Sequence, residues 1–212
     1  MVARTTEFVV FFCLLPFVVA AFPTRYAPPI PILWIGAIVA LLMLRRDDEH
    51  ERSTLWGVSG IKAGLPGVLR RFLLFGPLLA GFAWLMEPEH FLSFPRDRPG
   101  TWAVVLLLYP ILSVVPQGIV YRTFFLHRYR DLFGDGRVMW VVAGASFALA
   151  HVVMHRWEPV AITFVGGLIF TRTLMRGRSG LLADAEHALY GDLAFTLGLG
   201  VWIFTGAARQ GL

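Results

Sequence analysis

One cysteine and few charges are what this 212-residue chain sets against a large excess of apolar residues. The lone thiol, Cys13, excludes a disulfide framework within the chain and any cysteine-ligated zinc site. Charged residues make up 16%, against about a quarter in soluble domains. There is no internal repeat, no low-complexity segment and no sign of a second domain, so the whole of 1–212 reads as one integral-membrane domain. Hydrophobic residues account for 57%, and the mean hydropathy is +0.65. They fall in long continuous runs rather than in alternation. Backbone polar groups cannot go unpaired in lipid, so spanning segments are helices or closed barrels, and continuous runs select helices. The expected fold class is therefore all-α, a polytopic membrane helix bundle in contact with the lipid bilayer.

Seven spans are expected: roughly Phe8–Phe22, Pro29–Leu44, Val68–Met86, Trp102–Phe125, Val138–Met154, Pro159–Leu174 and Leu181–Phe204. The formal net charge of +5 is carried almost wholly by arginine, in loops between the apolar runs. There it sets topology and does not point to nucleic acid. With the N-terminus inside, thirteen arginine and lysine residues lie on the cytoplasmic side and five outside, Arg122 being left out as intrahelical. That asymmetry predicts N-in, C-out. A cleaved signal peptide is the other reading of the first run, with Arg4 as its basic start and "VVAAF" as a small-residue site. The longest loop, from Arg45 to Gly67, mixes charges of both signs, and its "LWGVSGIKAG" stretch could form a short interfacial helix.

Ionisable residues inside spans are expensive, and are functional candidates for that reason. They fall in three clusters. In "QGIVYRTFFLHR", Gly118 and Arg122 are four apart and share a helical face, whereas Gln117 is offset from Arg122 by about 140°. His127 and Arg128 sit near the cytoplasmic interface, where long side chains snorkel. In "FALAH", His151 follows Phe147 by four residues, and His155 lies beyond it at the outer surface. In "LLADAEHALYGDLAF", Asp184 and His187 share a face, Glu186 points about 100° away from His187, and Gly191 opens space one turn on from His187. Asp192 follows directly, and Asp184 lies near enough to the cytoplasmic end to be solvated. Two intramembrane histidines with carboxylates and an arginine are the parts of a metal or water-activation site. Such chemistry in a membrane points to hydrolysis of a peptide bond that enters a water-filled cavity. The spacing is not that of the soluble "HExxH" proteases.

Taken in order, the clusters resemble the CPBP family of intramembrane proteases, the CAAX-protease and bacteriocin-processing enzymes, also called Abi and related to Rce1-type prenyl-protein proteases. "QGIVYRTFF", "FALAH" and "HALYG" match its three motifs, and the resemblance covers about residues 100–206. It implies a bacterial inner-membrane protease acting on a membrane-associated protein or peptide. His151 and His187 would hold or polarise a water, with or without a divalent metal such as zinc, and Arg122 would pair within the first motif. Phe147 and Gly191 fall on the second and third motifs. The family's glutamate pair falls on Gln117 and Gly118, and neither is a carboxylate. Gln117 cannot act as a general base at neutral pH, and a general base contributes a factor of about 10² to 10⁴. Three readings stay open: a protease in which Glu186 or Asp192 replaces the lost base, a non-catalytic homologue that binds a membrane segment in the same cavity, and a small proton-coupled transporter. The last predicts an internal repeat, which the chain lacks.

Overall fold

A computed structural model describes residues 2–23, 26, 28–46, 57 and 59–203. Phe204, residues 47–56 and 58 of the longest loop and three arginines of the charge count (Arg25, Arg52 and Arg209) lie outside the described residues. So do Leu55, Trp56 and Val58 of the proposed interfacial helix. Among the described residues there is no strand. The principal helices are α1 (Val2–Ala21), α2 (Pro29–Arg45), α3 (Ser59–Met86), α4 (Pro99–Arg128), α5 (Arg137–Met154), α6 (Trp157–Gly177), α7 (Gly180–Thr196) and α8 (Gly200–Ile203), with short helical turns at Ser93–Asp97 and Arg130–Phe133. Five of them, α1 and α3 to α6, are long and apolar enough to cross a membrane. This is a polytopic helical bundle. Its outer faces carry exposed large apolar side chains such as Leu73, Leu78, Leu85 and Leu107, the surface that lipid rather than water would cover.

Two departures from the expected spans have local causes. Helix α3 starts at Ser59, nine residues before the expected Val68. Its first turns hold Gly60 and Gly64, whose missing side chains let the helix lie against Gly177, Ser179 and Leu182 at the corner between α6 and α7. The expected last span is not continuous. Helix α7 stops at Thr196, and Gly198 adopts φ +94°, a left-handed turn in which a Cβ would also strike the carbonyl of His90. The chain then resumes as the short α8.

Helix α4 carries the site, and proline shapes it. The helix runs unbroken from Pro99 to Arg128 but widens twice, in π-turns at Pro110–Val114 and Ile119–Phe124. Pro116 between them has no N–H to give the carbonyl of Leu112, four residues earlier. Trp34 of α2 supplies the missing donor, its Nε1 lying 3.0 Å from Leu112 O. The freed carbonyl thereby becomes a strap between α2 and α4. Helices α5 and α6 pack backbone to backbone. A Cβ on Gly167 would sit 3.0 Å from Gly144 Cα, and Trp140 Nε1 donates to Leu168 O at 2.7 Å. Helix α1 is packed into the bundle, with Phe8 and Phe12 set edge-on to Phe125 and Tyr129. Glu7 accepts from Arg128 Nε and Nη2 at 2.9 and 2.6 Å, so Arg128 is ion-paired rather than merely snorkelling.

Candidate active site

The centre of the bundle is a hydrogen-bonded row with one direction. Arg122, 2% exposed, projects from the second π-turn of α4. Its Nη2 donates to Asp184 Oδ1 at 2.8 Å, and its Nη1 approaches His187 Nδ1 at 3.3 Å. A guanidinium only donates, so His187 Nδ1 must accept. The ring proton then sits on Nε2, which donates to the hydroxyl of Tyr109 at 3.1 Å. The row reads Asp184, Arg122, His187, Tyr109, and it leaves the Tyr109 O–H proton free to point elsewhere.

Aromatic rings seal the row. Phe170 stacks on His187 with centroids 4.6 Å apart, and Phe147 stands edge-on to it at 5.3 Å. The Arg122 guanidinium lies 5.7 Å from the Phe170 centroid and 5.9 Å from that of Phe147. Phe147 also contacts His151, with centroids 4.8 Å apart, so one ring touches both histidines. His151 ends α5 in a short 3₁₀ stretch, Ala150–Met154. Its Nδ1 donates to Phe147 O at 2.8 Å, which leaves Nε2 as the lone-pair nitrogen.

A cavity of about 450 Å³ lies beside this row. Its walls are mainly apolar and come from α1, α2, α4, α5 and α7. The polar groups that reach it include Tyr109, Ser113, Gln117, Tyr121 and His151. Gln117 Nε2 bonds Ser113 Oγ at 2.6 Å, while its Oε1 is buried without a protein partner among the described residues. A largely apolar cleft with a few convergent polar groups is the usual form of a small-ligand or peptide site.

The expected site residues divide into two sets. Arg122, His187, Phe147 and His151 come together, with Gln117 on the cavity wall. Glu186 does not join them. It is fully buried on another face of α7, where Arg71 Nε and Nη2 donate to it at 2.8 and 3.1 Å and Thr173 Oγ1 also bonds it. That carboxylate clamps α3 and α6 to α7 and stands apart from the row, although one of the three sequence readings offers it, with Asp192, as a replacement base. Glu186→Gln should therefore lower stability toward the lower end of about 3–5 kcal/mol, since Arg71 is partly exposed. Thermal unfolding in detergent reads that loss, with cleavage per folded molecule retained. Asp192 has a buried Oδ1 without a partner among the described residues and is not part of the row. His155 is exposed in a left-handed turn, as its surface reading implied.

Asp184 was expected near the cytoplasmic end and solvated. Its side chain is only 17% exposed and is the partner of Arg122. Tyr109 was missed altogether. The signal for it was Gly191, since a Cβ there would overlap the Tyr109 ring and hydroxyl. The glycine in the third motif is the space that Tyr109 fills.

The donor set does not suit a divalent metal. Both nitrogens of His187 are engaged, one facing a guanidinium, and Asp184 is taken by the same cation. Among the described residues no three histidine, cysteine or acidic side chains are grouped to hold a metal ion.

A buried arginine held between a carboxylate and a histidine, in a bundle with five helices of membrane-spanning length, defines a polytopic membrane protein with an internal polar centre. Residues 99–191, which contain every member of the row, match the family model described as type II CAAX prenyl endopeptidase Rce1-like. This stretch is an Rce1-like domain of the CPBP family, a family of proteases. No curated protein and no solved structure matches the chain.

Proposed function

We propose that this protein is an intramembrane endopeptidase that hydrolyses a peptide bond of a membrane-associated protein or peptide. The observation that carries this reading is the polarity of the cavity wall. His151 offers a lone pair and Tyr109 offers a proton, and both line the same cavity. His151 Nε2 takes a proton from water as the water oxygen bonds to the scissile carbonyl carbon. The carbonyl oxygen, now an oxyanion, accepts from Tyr109 O–H. Collapse of that intermediate breaks the C–N bond, and the leaving amine takes the proton from His151. In this scheme the base is an imidazole, so the absence of a carboxylate at Gln117 and Gly118 does not remove it. The arginine asymmetry between loops supports a cytoplasmic N-terminus and an outside C-terminus, in the bacterial inner membrane that the family resemblance implies.

The test is cleavage of a membrane-tethered peptide library by the purified protein in liposomes. Wild type should cleave, and His151→Gln should lose about 10² to 10⁴ in rate with its unfolding midpoint retained. A wild-type protein that leaves the library intact would overturn the proposal in favour of a non-catalytic, segment-binding homologue.

A further inference from the structure

The arginine that orders the site is served by a carboxylate from a different helix than its own. A Cβ built on Gly118 would fall on Asp184 Oδ1, with Arg122 Nη2 and Asp184 Cγ each 2.8 Å away. The space beside Gly118 is therefore the space that Asp184 occupies, and both positions address the same guanidinium nitrogen. A side chain at 118 would displace the Asp184 carboxylate from where it now stands. A glutamate at 118 would stand four residues before Arg122, the favourable order for an ion pair along one helix. Asp184 makes the equivalent contact from α7.

We propose that Asp184 is the positioning carboxylate of this site, holding from α7 the place on Arg122 that a side chain at position 118 would otherwise hold, and that through Arg122 it sets the tautomer of His187. The guanidinium is planar and permanently charged, so a carboxylate fixed on Nη2 fixes the direction of Nη1. Nη1 then keeps a donor on His187 Nδ1 and holds the ring proton on Nε2. That proton makes the Tyr109 oxygen an acceptor from His187 and turns the hydroxyl proton away from it. A carboxylate that merely neutralised Arg122 would stabilise the fold without governing which ring nitrogen is protonated. The consequence for catalysis rests on the hydrolytic reading above. The pairing and the tautomer do not.

The experiment uses full-length protein in nanodiscs with ¹⁵N-labelled histidine, comparing wild type with Asp184→Asn, Asp184→Gly, Gly118→Glu and the double variant Gly118→Glu/Asp184→Gly. Wild-type His187 should show a protonated Nε2 and a bare Nδ1. Asp184→Asn, close to isosteric, should lose that signature and reduce cleavage by up to about 10⁴-fold, the scale seen when a histidine-orienting carboxylate is lost. Each glycine-site single variant should lower the unfolding midpoint by several degrees. The double variant should recover most of that loss and regain the Nε2-protonated form. The proposal is overturned if Asp184→Asn leaves the His187 signature unchanged, or if the double variant is no more stable than the sum of its singles predicts. A double variant that fails to fold counts against it in the same way. Wild type that cleaves nothing, with coupling and tautomer change both present, would sink the hydrolytic reading and leave this assignment standing. Cleavage with an unmoved tautomer would do the reverse.

Discussion

Replacing Tyr109 with phenylalanine should reduce cleavage by about 10²- to 10³-fold, the loss typical of removing one donor to a developing oxyanion. The reduction should fall on kcat, because the hydroxyl is needed once charge appears on the carbonyl oxygen, and KM should change little. Stability should fall by a smaller margin. His187 Nε2 loses its acceptor inside the bundle, which costs about 1–3 kcal/mol. Gly191→Ala makes an independent approach to the same group, since the added carbon would displace the Tyr109 ring instead of removing its oxygen. Both variants should share the kcat defect. Full activity in Tyr109→Phe would show that the cavity polarises its substrate by another route.

Arg122→Met should destabilise the protein by about 3–5 kcal/mol, the cost of leaving one member of a buried ion pair behind. The exposures of the two side chains, 3% for Arg122 and 17% for Asp184, place the pair out of reach of bulk screening. The pair's own net contribution is a separate quantity, because both groups must be desolvated to form it. Arg122→Met combined with Asp184→Leu should consequently recover much of the lost stability while restoring no cleavage. Unfolding in detergent and the liposome assay separate the two effects. If the single variant is as stable as wild type, Asp184 is held by something other than the arginine.

The sequence was informative where physics is local and mute where it is not. The continuous apolar runs required helices, and seven helical segments stand close to where those runs lie. The break after Thr196 was hidden because "TLGLG" is as apolar as its surroundings, and only the left-handed Gly198 reveals it. Helical spacing placed Arg122 beside Gly118 and Asp184 beside His187. It could not place α4 against α7, so the Arg122–Asp184 bond was invisible, and Glu186 stood out as the carboxylate nearest in sequence to His187. Arg71, which claims Glu186, lies over a hundred residues away in the chain. Tyr109 had no motif around it. The two glycines at motif positions were the informative signals, because each marks a place where another helix reaches in.

The two ion pairs of α7 also bear on the order of biogenesis. The helix brings Asp184 and Glu186 into the bundle, and their cations come from α4 and α3, both earlier in the chain. Arg122 and Arg71 thus precede α7 in synthesis, so the helix can pack against countercharges made before it. An Arg71→Met chain would then show a defect of insertion as well as of packing. A membrane-impermeant label on a reporter cysteine at Leu181 would read it as α7 left outside the bilayer.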